Sequence, residues 1–516
     1  MRILRLAVAV LLPLALWGGH LQASGFENTG LGTTARGMAG AFRAVADDWS
    51  AAYYNPAGYA FIIDNQLGGS VALINFRNEI TPNFVEVDDF GNSYGWGIVN
   101  GQKVYNFHRI LNNPSAGLVV RLPFWGETVF GLSAFQPFDQ SLRWRLYDPE
   151  ASGMRAYNED AVGSRKIPGH HYLVDLDVVA IQLTASREFK PEKLSVGIGL
   201  QLLRGDLWFS DLTFRTNPRL TAPDITDKPG VFRRPWEKVP EFHDSQGRGW
   251  SFGIRAGVMW KLNEKIDLAA TAYLPFDITI KGDSYFTFIM PKPDYAVVLP
   301  NTADFLFVSG YGDFVNLTSE FETKLKLPSS LGVGVAYKAT EKLTVALDAE
   351  YTLWSEYDGL EFSFTDFANL PGRIDSALVD GEWQRYTRLF EPEFFQSNLA
   401  NPVDWENTVK VALGFRYQVH PKLTLLAGGG LDQSPARNST ELTPQFMDLG
   451  TKKSVNAGGI LHIDQWDVGL ITSYYNYPEI NLEGLTDVDN SDTFDNFPGE
   501  YKASTYESVL SLGYRF

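Results

Sequence analysis

The chain has 516 residues, no cysteine and a formal net charge of −17. Disulfides therefore contribute nothing to its stability, and the acidic balance argues against nucleic acid as a partner. Aromatic residues make up 14% of the chain, yet beyond the N-terminal stretch no apolar run reaches the length of about 18 residues that a transmembrane helix needs.

Arg2 and Arg5, the apolar run Leu6 to Trp17 and the small-residue pattern Leu21-Gln22-Ala23 read as a secretory signal peptide over 1–23. The next segment, 24–65, does not alternate like a strand. Its first part, GLGTTARGMAGAFRAVADD (30–48), is rich in Gly and Ala, and Gly30, Gly32, Gly37 and Gly40 let the backbone pack closely. Its second part, YYNPAGYAF (53–61), sets Asn55 ahead of Pro56 and Ala57, which suits an N-cap followed by proline at the first helical position. Its aromatic content is high for a disordered tail, so the expectation is a compact plug.

From 66 onward the pattern has period two. In TVALDAEYTLW (344–354), Val345, Leu347, Ala349, Tyr351 and Leu353 share a face, and TVKVALGFRYQV (408–419) behaves alike. Fourteen such segments are expected: 66–80, 114–124, 128–144, 170–189, 193–210, 248–263, 265–283, 318–338, 342–364, 405–419, 422–435, 451–464, 466–482 and 505–516. Most exceed the usual five or six residues of a soluble sandwich strand and are long enough to cross a bilayer at a tilt. Tight turns at 125–127, 190–192, 263–265, 339–341, 420–421 and 465 alternate with long connections. That asymmetry predicts an all-β transmembrane fold. It is a 14-stranded antiparallel outer-membrane barrel over 66–516, with periplasmic turns, extracellular loops and a plug in its lumen.

Within this frame several residues stand out. In strand 3, VFGLSAFQPFDQSLRW (129–144), Gln136 falls on the face set by Phe130, Leu132 and Ala134, and Pro137 cannot donate to the ladder. A bulge or inward kink at Gln136, Pro137 and Phe138 would open the wall sideways. Asp348 and Glu350 on strand 9 face Lys410 and Arg416 on strand 10, which reads as a charge ladder on the inner wall or as a ligand path. Connections 211–247 and 284–317 are rich in Phe, Pro, Leu and Tyr, suggesting a capture surface for apolar solutes or a lid. No GxSxG, HExxH or CxxC motif occurs, and the adjacent His170 and His171 would point to opposite faces of a strand. The run DVDNSDTFDN (487–496) lacks EF-hand spacing. No catalytic residue, cofactor or metal is expected.

The stretches GLGTTARGMAGAFRAVADDWSAAYYNPAG, LKLPSSLGVGVAYKATEKLTVALDAEYTLWSEYDGLEF (325–362) and 404–459 resemble the FadL/TodX outer-membrane transport family. The resemblance implies a hatched fourteen-stranded barrel, bacterial outer-membrane location and uptake of hydrophobic small molecules. Long-chain fatty acids rank first on family breadth, with neutral aromatic or aliphatic hydrocarbons close behind. It also implies a ligand contact at Phe26, a hatch motif at Asn55, Pro56 and Ala57, and a kinked third strand. Basic residues of fatty-acid carriers would fall on strand 5, near Arg204 and Asp206, and at the end of strand 9, near Glu361. Two acids there would repel a carboxylate, while Arg204 and inward Arg416 would attract it. A monomer in contact with outer-membrane lipid and lipopolysaccharide is expected. A general porin and an outer-membrane hydrolase stand as readings of other classes.

Overall fold

The computed structural model describes residues 25–516 apart from 29, 84–85, 88–92, 95–100, 108–109, 123–127, 147–171, 217–237, 292–295, 299–304, 308–310, 369–398, 437–444, 446, 448–449 and 483–498. The expected signal peptide, the turn at 125–127, His170, His171 and the run 487–496 lie outside the described residues, as do most of the long connections.

Fourteen crossings form one closed antiparallel barrel. The first six are unbroken: β1 (Gln66–Pro82), β2 (Ile110–Arg121), β3 (Thr128–Trp144), β4 (Tyr172–Lys190), β5 (Leu194–Thr216) and β6 (Lys238–Lys261). The next four come in two pieces each: β7 (Ile266–Pro275 and Ile278–Pro291), β8 (Tyr311–Leu325 and Ser330–Lys338), β9 (Leu343–Thr352 and Gly359–Ala368) and β10 (Leu399–Pro402 and Thr408–His420). The barrel ends with β11 (Leu423–Asp432), β12 (Lys452–Ile463), β13 (Trp466–Asn476 and Ile480–Leu482) and β14 (Gly499–Arg515). β14 closes on β1 from Gln66 opposite Arg515 to Pro82 opposite Gly499, which places the start of β1 and the end of β14 at one rim. No helix among the described residues is long and apolar enough to cross a membrane.

The alternation sorts lipid from lumen. On β6, Trp250, Phe252, Val258 and Trp260 are exposed, while Gly253, Arg255, Gly257 and Met259 between them are buried. The outward phase is the apolar band of a membrane barrel, with Trp250 and Trp260 at its two ends, as aromatic girdles sit.

The barrel is taller than the sequence pattern implies. Much of 211–247 and 284–317 is strand rather than loop: β5 runs to Thr216, β6 starts at Lys238, β7 reaches Pro291 and β8 starts at Tyr311. Beyond the apolar band the outward face turns polar at Arg204, Asp206 and Arg248, so the hydrophobic alternation fades while the backbone ladder continues.

Strand breaks position the interior. β8, β9 and β10 are interrupted at 326–329, 353–358 and 403–407, where Pro328 and a short 3-10 turn, Trp354–Glu356, replace the ladder. The two pieces of β9 pair on one side with separate pieces of β8. These interruptions carry Trp354, Tyr357 and Trp405, all buried.

Candidate functional site

Residues 25–28 and 30–65 pack against inward-facing side chains around the barrel. Asn55 caps a 3-10 helix, Pro56–Phe61: its side-chain oxygen accepts from the Ala57 amide at 3.1 Å, and proline occupies the first helical turn. Asn55 also donates to the carbonyls of Arg43 (2.9 Å) and Val258 on β6 (3.3 Å), tying two parts of the segment to the wall. Glycine makes the approach feasible. A Cβ at Gly257 would lie 2.0 Å from the Asn55 side-chain oxygen, and one at Gly197 on β5 would lie 2.3 Å from the Pro56 backbone.

Charge fixes the rest. Arg43 bonds Glu350 at 2.7 Å and Asp348 at 3.4 Å, and the Asp348 carboxylate also accepts the amides of Phe42 and Arg43. Arg36 pairs with Glu507 on β14. Asp47 pairs with Arg416 at 2.5 Å. The expected ladder along the inner wall is therefore largely a set of anchors for the N-terminal segment. On the Lys410 side, Lys410 at 3.8 Å and Lys452 at 3.1 Å from Asp432 pair wall with wall.

At the tip of this segment Phe26 is fully buried in an aromatic box. Its ring centroid lies 4.9 Å from Trp354, 5.0 Å from Tyr357, 5.7 Å from Phe138 and 6.1 Å from Trp405. Higher in the lumen a second aromatic layer holds Phe209, Phe286, Phe321, Phe362 and Phe364, with His243 stacked 4.9 Å from Phe286. The lumen above the N-terminal segment is thus filled by a packed aromatic layer, an interior chamber whose lining suits lipophiles better than hydrated sugars or ions.

The third strand bends where its sequence breaks phase. Phe135 lies opposite Ala180 but Phe138 lies opposite Val178, so β3 carries one extra residue between them. Below the bulge Gly131, Ser133 and Phe135 face inward; above it Phe138, Gln140, Leu142 and Trp144 do. β2 stays on β1 to Ile110 but leaves β3 above the pair Ala116–Ala134. Pro114 sits on the departing stretch of β2 and offers no N–H. In place of β2, the tip supplies hydrogen bonds to β3. The Asn28 amide donates to Pro137 O, the Asn28 side chain to Gln136 O, and the Asp139 amide to Phe26 O, each at 2.9 Å. Asn113 approaches Asp139 across the gap at 3.4 Å, and Asn106 and Phe107 join Arg143 above it.

Several expected site residues fall together here: Phe26, Gln136, Pro137 and Phe138, with Asn55, Pro56 and Ala57 below them. Others do not. Arg204 and Asp206 share the outward phase of exposed Leu200 and Leu202. They pair with each other at 2.7 Å, and Asp206 also pairs with Arg248, outside the barrel. Glu361 is exposed on the outer side of β9, next to inward Phe362. None of the three lines the chamber, because a one-residue error in strand register reverses the face. Arg416 does face inward, but it holds Asp47 rather than lining the aromatic chamber. Sequence reasoning missed Trp354, Tyr357 and Trp405, which come from strand breaks, and Arg255, which strand alternation alone places inside.

Comparison with known proteins adds an independent line. The family described as outer membrane protein transport protein (OMPP1/FadL/TodX) matches residues 156–445. NMB0088 of Neisseria meningitidis serogroup B, named as an outer membrane protein, is 22% identical over 478 residues, covering 92% of this chain and 89% of that one. A FadL homologue of Pseudomonas aeruginosa superposes with a TM-score of 0.69 at 17% identity, over 95% of this chain and 100% of its own. The toluene transporter TodX of Pseudomonas putida does so with a TM-score of 0.61 at 14% identity, over 95% and 99%.

Proposed function

Because the chain belongs to the outer membrane protein transport family that includes FadL and TodX, we propose that it is a passive outer-membrane channel for hydrophobic small molecules, with long-chain fatty acids as its main cargo. The observation that carries this reading is the aromatic box around Phe26, which adjoins the bulge of β3. A lipophile entering the apolar chamber would replace the Phe26 ring with little loss of packing. It would then leave through the β2–β3 gap into the outer leaflet instead of crossing residues 25–65, which act as a hatch. The extracellular extensions of β5–β8 serve as the capture surface.

The outward position of Asp206 and Glu361 removes the main objection to a carboxylate cargo, since neither acid would meet it in the chamber. A second reading, neutral hydrocarbons, is favoured by the wholly apolar contacts of Phe26 and by the likeness to TodX, named as a toluene transporter. Native mass spectrometry of lipophiles retained by the purified protein, with liposome swelling in small sugars, tests the proposal. Retained fatty acid or hydrocarbon without sugar entry supports it. Rapid sugar entry with no retained lipophile would point to a porin.

A further inference from the structure

Among the fully buried arginines and lysines described, Arg255 alone makes no contact ion pair. Arg36, Arg43, Lys410 and Lys452 each pair with a carboxylate, and Arg416 pairs with Asp47. Arg255 on β6 is 5% exposed, and among the described residues no carboxylate oxygen comes within 4.0 Å of its guanidinium. Its faces are covered instead by two rings, Tyr273 on β7 at 3.9 Å and Tyr53 of the hatch at 4.7 Å. Its Nε has no hydrogen-bond partner.

That arrangement is specific. The ring contacts leave Nε without a partner, on the edge where a guanidinium meets a carboxylate with two parallel bonds. Burying a cation with no carboxylate in contact is costly, although the buried carboxylates of Glu27 and Glu350 act on it from further off, and cation–π contacts offset only part of the cost. The position also fits cargo. Tyr273 stacks on Phe138 at 6.1 Å, Tyr53 meets Phe135 at 5.5 Å, and Phe138 is one wall of the Phe26 box. Glu27, the residue after Phe26, places its carboxylate 3.4 Å from the Tyr53 hydroxyl, on the same side of the chamber. The tip thus brings an apolar ring and a carboxylate to neighbouring places, the two parts of an amphiphilic acid.

We propose that Arg255 is the headgroup site for an anionic lipophile, holding its carboxylate at the chamber floor while the apolar body takes the place of Phe26. The inference rests on the lipophile-channel reading and sharpens it. It moves the selectivity for acids from strands 5 and 9, where this chain turns its charges outward, to β6. Anion binding at Arg255 would also touch the hatch directly, through Tyr53.

The test uses the full-length barrel in detergent, with a brominated stearate and its methyl ester as probes, read by quenching of tryptophan fluorescence at alkaline pH. The acid should bind at least about tenfold more tightly than the ester. Arg255→Gln should bring the acid and ester affinities together, and Arg255→Lys should restore part of the margin. Equal affinity of acid and ester in the unaltered protein would overturn the assignment without touching the lipophile reading, and it needs no variant to fold. An equal loss for both probes in Arg255→Gln would also overturn it, since Arg255 would then be only a clamp on Tyr53. No binding of either probe to the unaltered protein would sink the channel reading and this inference together.

Discussion

Two neighbouring seams of the barrel are built in opposite ways. Where β14 meets β1, the ladder runs unbroken from Gln66–Arg515 to Pro82–Gly499. Where β2 meets β3, it runs only from Arg121–Val129 to Ala116–Ala134 and then stops. The first seam closes the barrel and leaves no edge, and an unpaired backbone inside a bilayer is not tolerated. The second leaves part of an edge, and residues 26–28 of the hatch supply the missing hydrogen bonds from inside. At about 1 kcal/mol net per bond, three such bonds can be given up for a ligand of micromolar affinity. In the proposed mechanism, a wall that is continuous nearly everywhere is conditional at one place, on the position of the tip of residues 25–65.

The contrast can be broken from either side. The largest effect is expected from Val509→Pro on β14, which pairs with both Ala72 and Ile471. Removing an N–H from a strand paired on both sides should abolish the heat-stable barrel, seen as loss of the folded band on unheated gels. The third strand already holds Pro137, so the opposite change is informative there. Deleting Pro137 removes the extra residue without turning any neighbour over, because Phe135, Gln136 and Phe138 then alternate in, out and in. The barrel should stay folded and fatty-acid uptake should fall by at least about tenfold. Uptake at the original rate would contradict lateral exit.

Smaller effects probe the hatch that completes the weak seam. Arg43→Gln leaves Asp348 and Glu350 without their cation, which should cost about 3–5 kcal/mol of hatch docking. Hydrogen exchange should then accelerate over 30–65 while the strands stay protected. Asn28→Ala removes the side-chain bond to Gln136 O and the acceptor of the Gly30 amide and of Arg36, and should cost about 1–2 kcal/mol, visible as faster exchange at the Gly30 and Asp139 amides.

Much of this was legible in the sequence, for reasons that differ by residue. Period two, tight turns and the broken phase at Gln136-Pro137 are local, and they gave the barrel and the bulge. Asn55-Pro56 is also local, and the cap is where its chemistry puts it. Arg204, Asp206 and Glu361 were misplaced because facing depends on register, and above the apolar band no hydrophobic alternation marks it. Asp348 and Glu350 read as partners of Lys410 and Arg416 because strand patterns reveal neighbours in the wall. Their true partner, Arg43, lies some three hundred residues away and is brought there only by folding of the hatch. Arg255 could be read as inward from its outward neighbours Ile254 and Ala256. Its lack of a contact ion pair could not, since that depends on where the N-terminal segment sets its charges.

The central claim is that cargo leaves between β2 and β3, and a covalent bridge across that gap tests it most directly. Asn113 and Asp139 already meet there, and the chain contains no cysteine of its own. With Asn113→Cys and Asp139→Cys, the oxidised protein should fold, show the cross-link by mass after digestion, and transport fatty acid at no more than about a tenth of the reduced rate, with reductant restoring it. Full-rate transport through a barrel whose cross-link is confirmed would place the exit elsewhere.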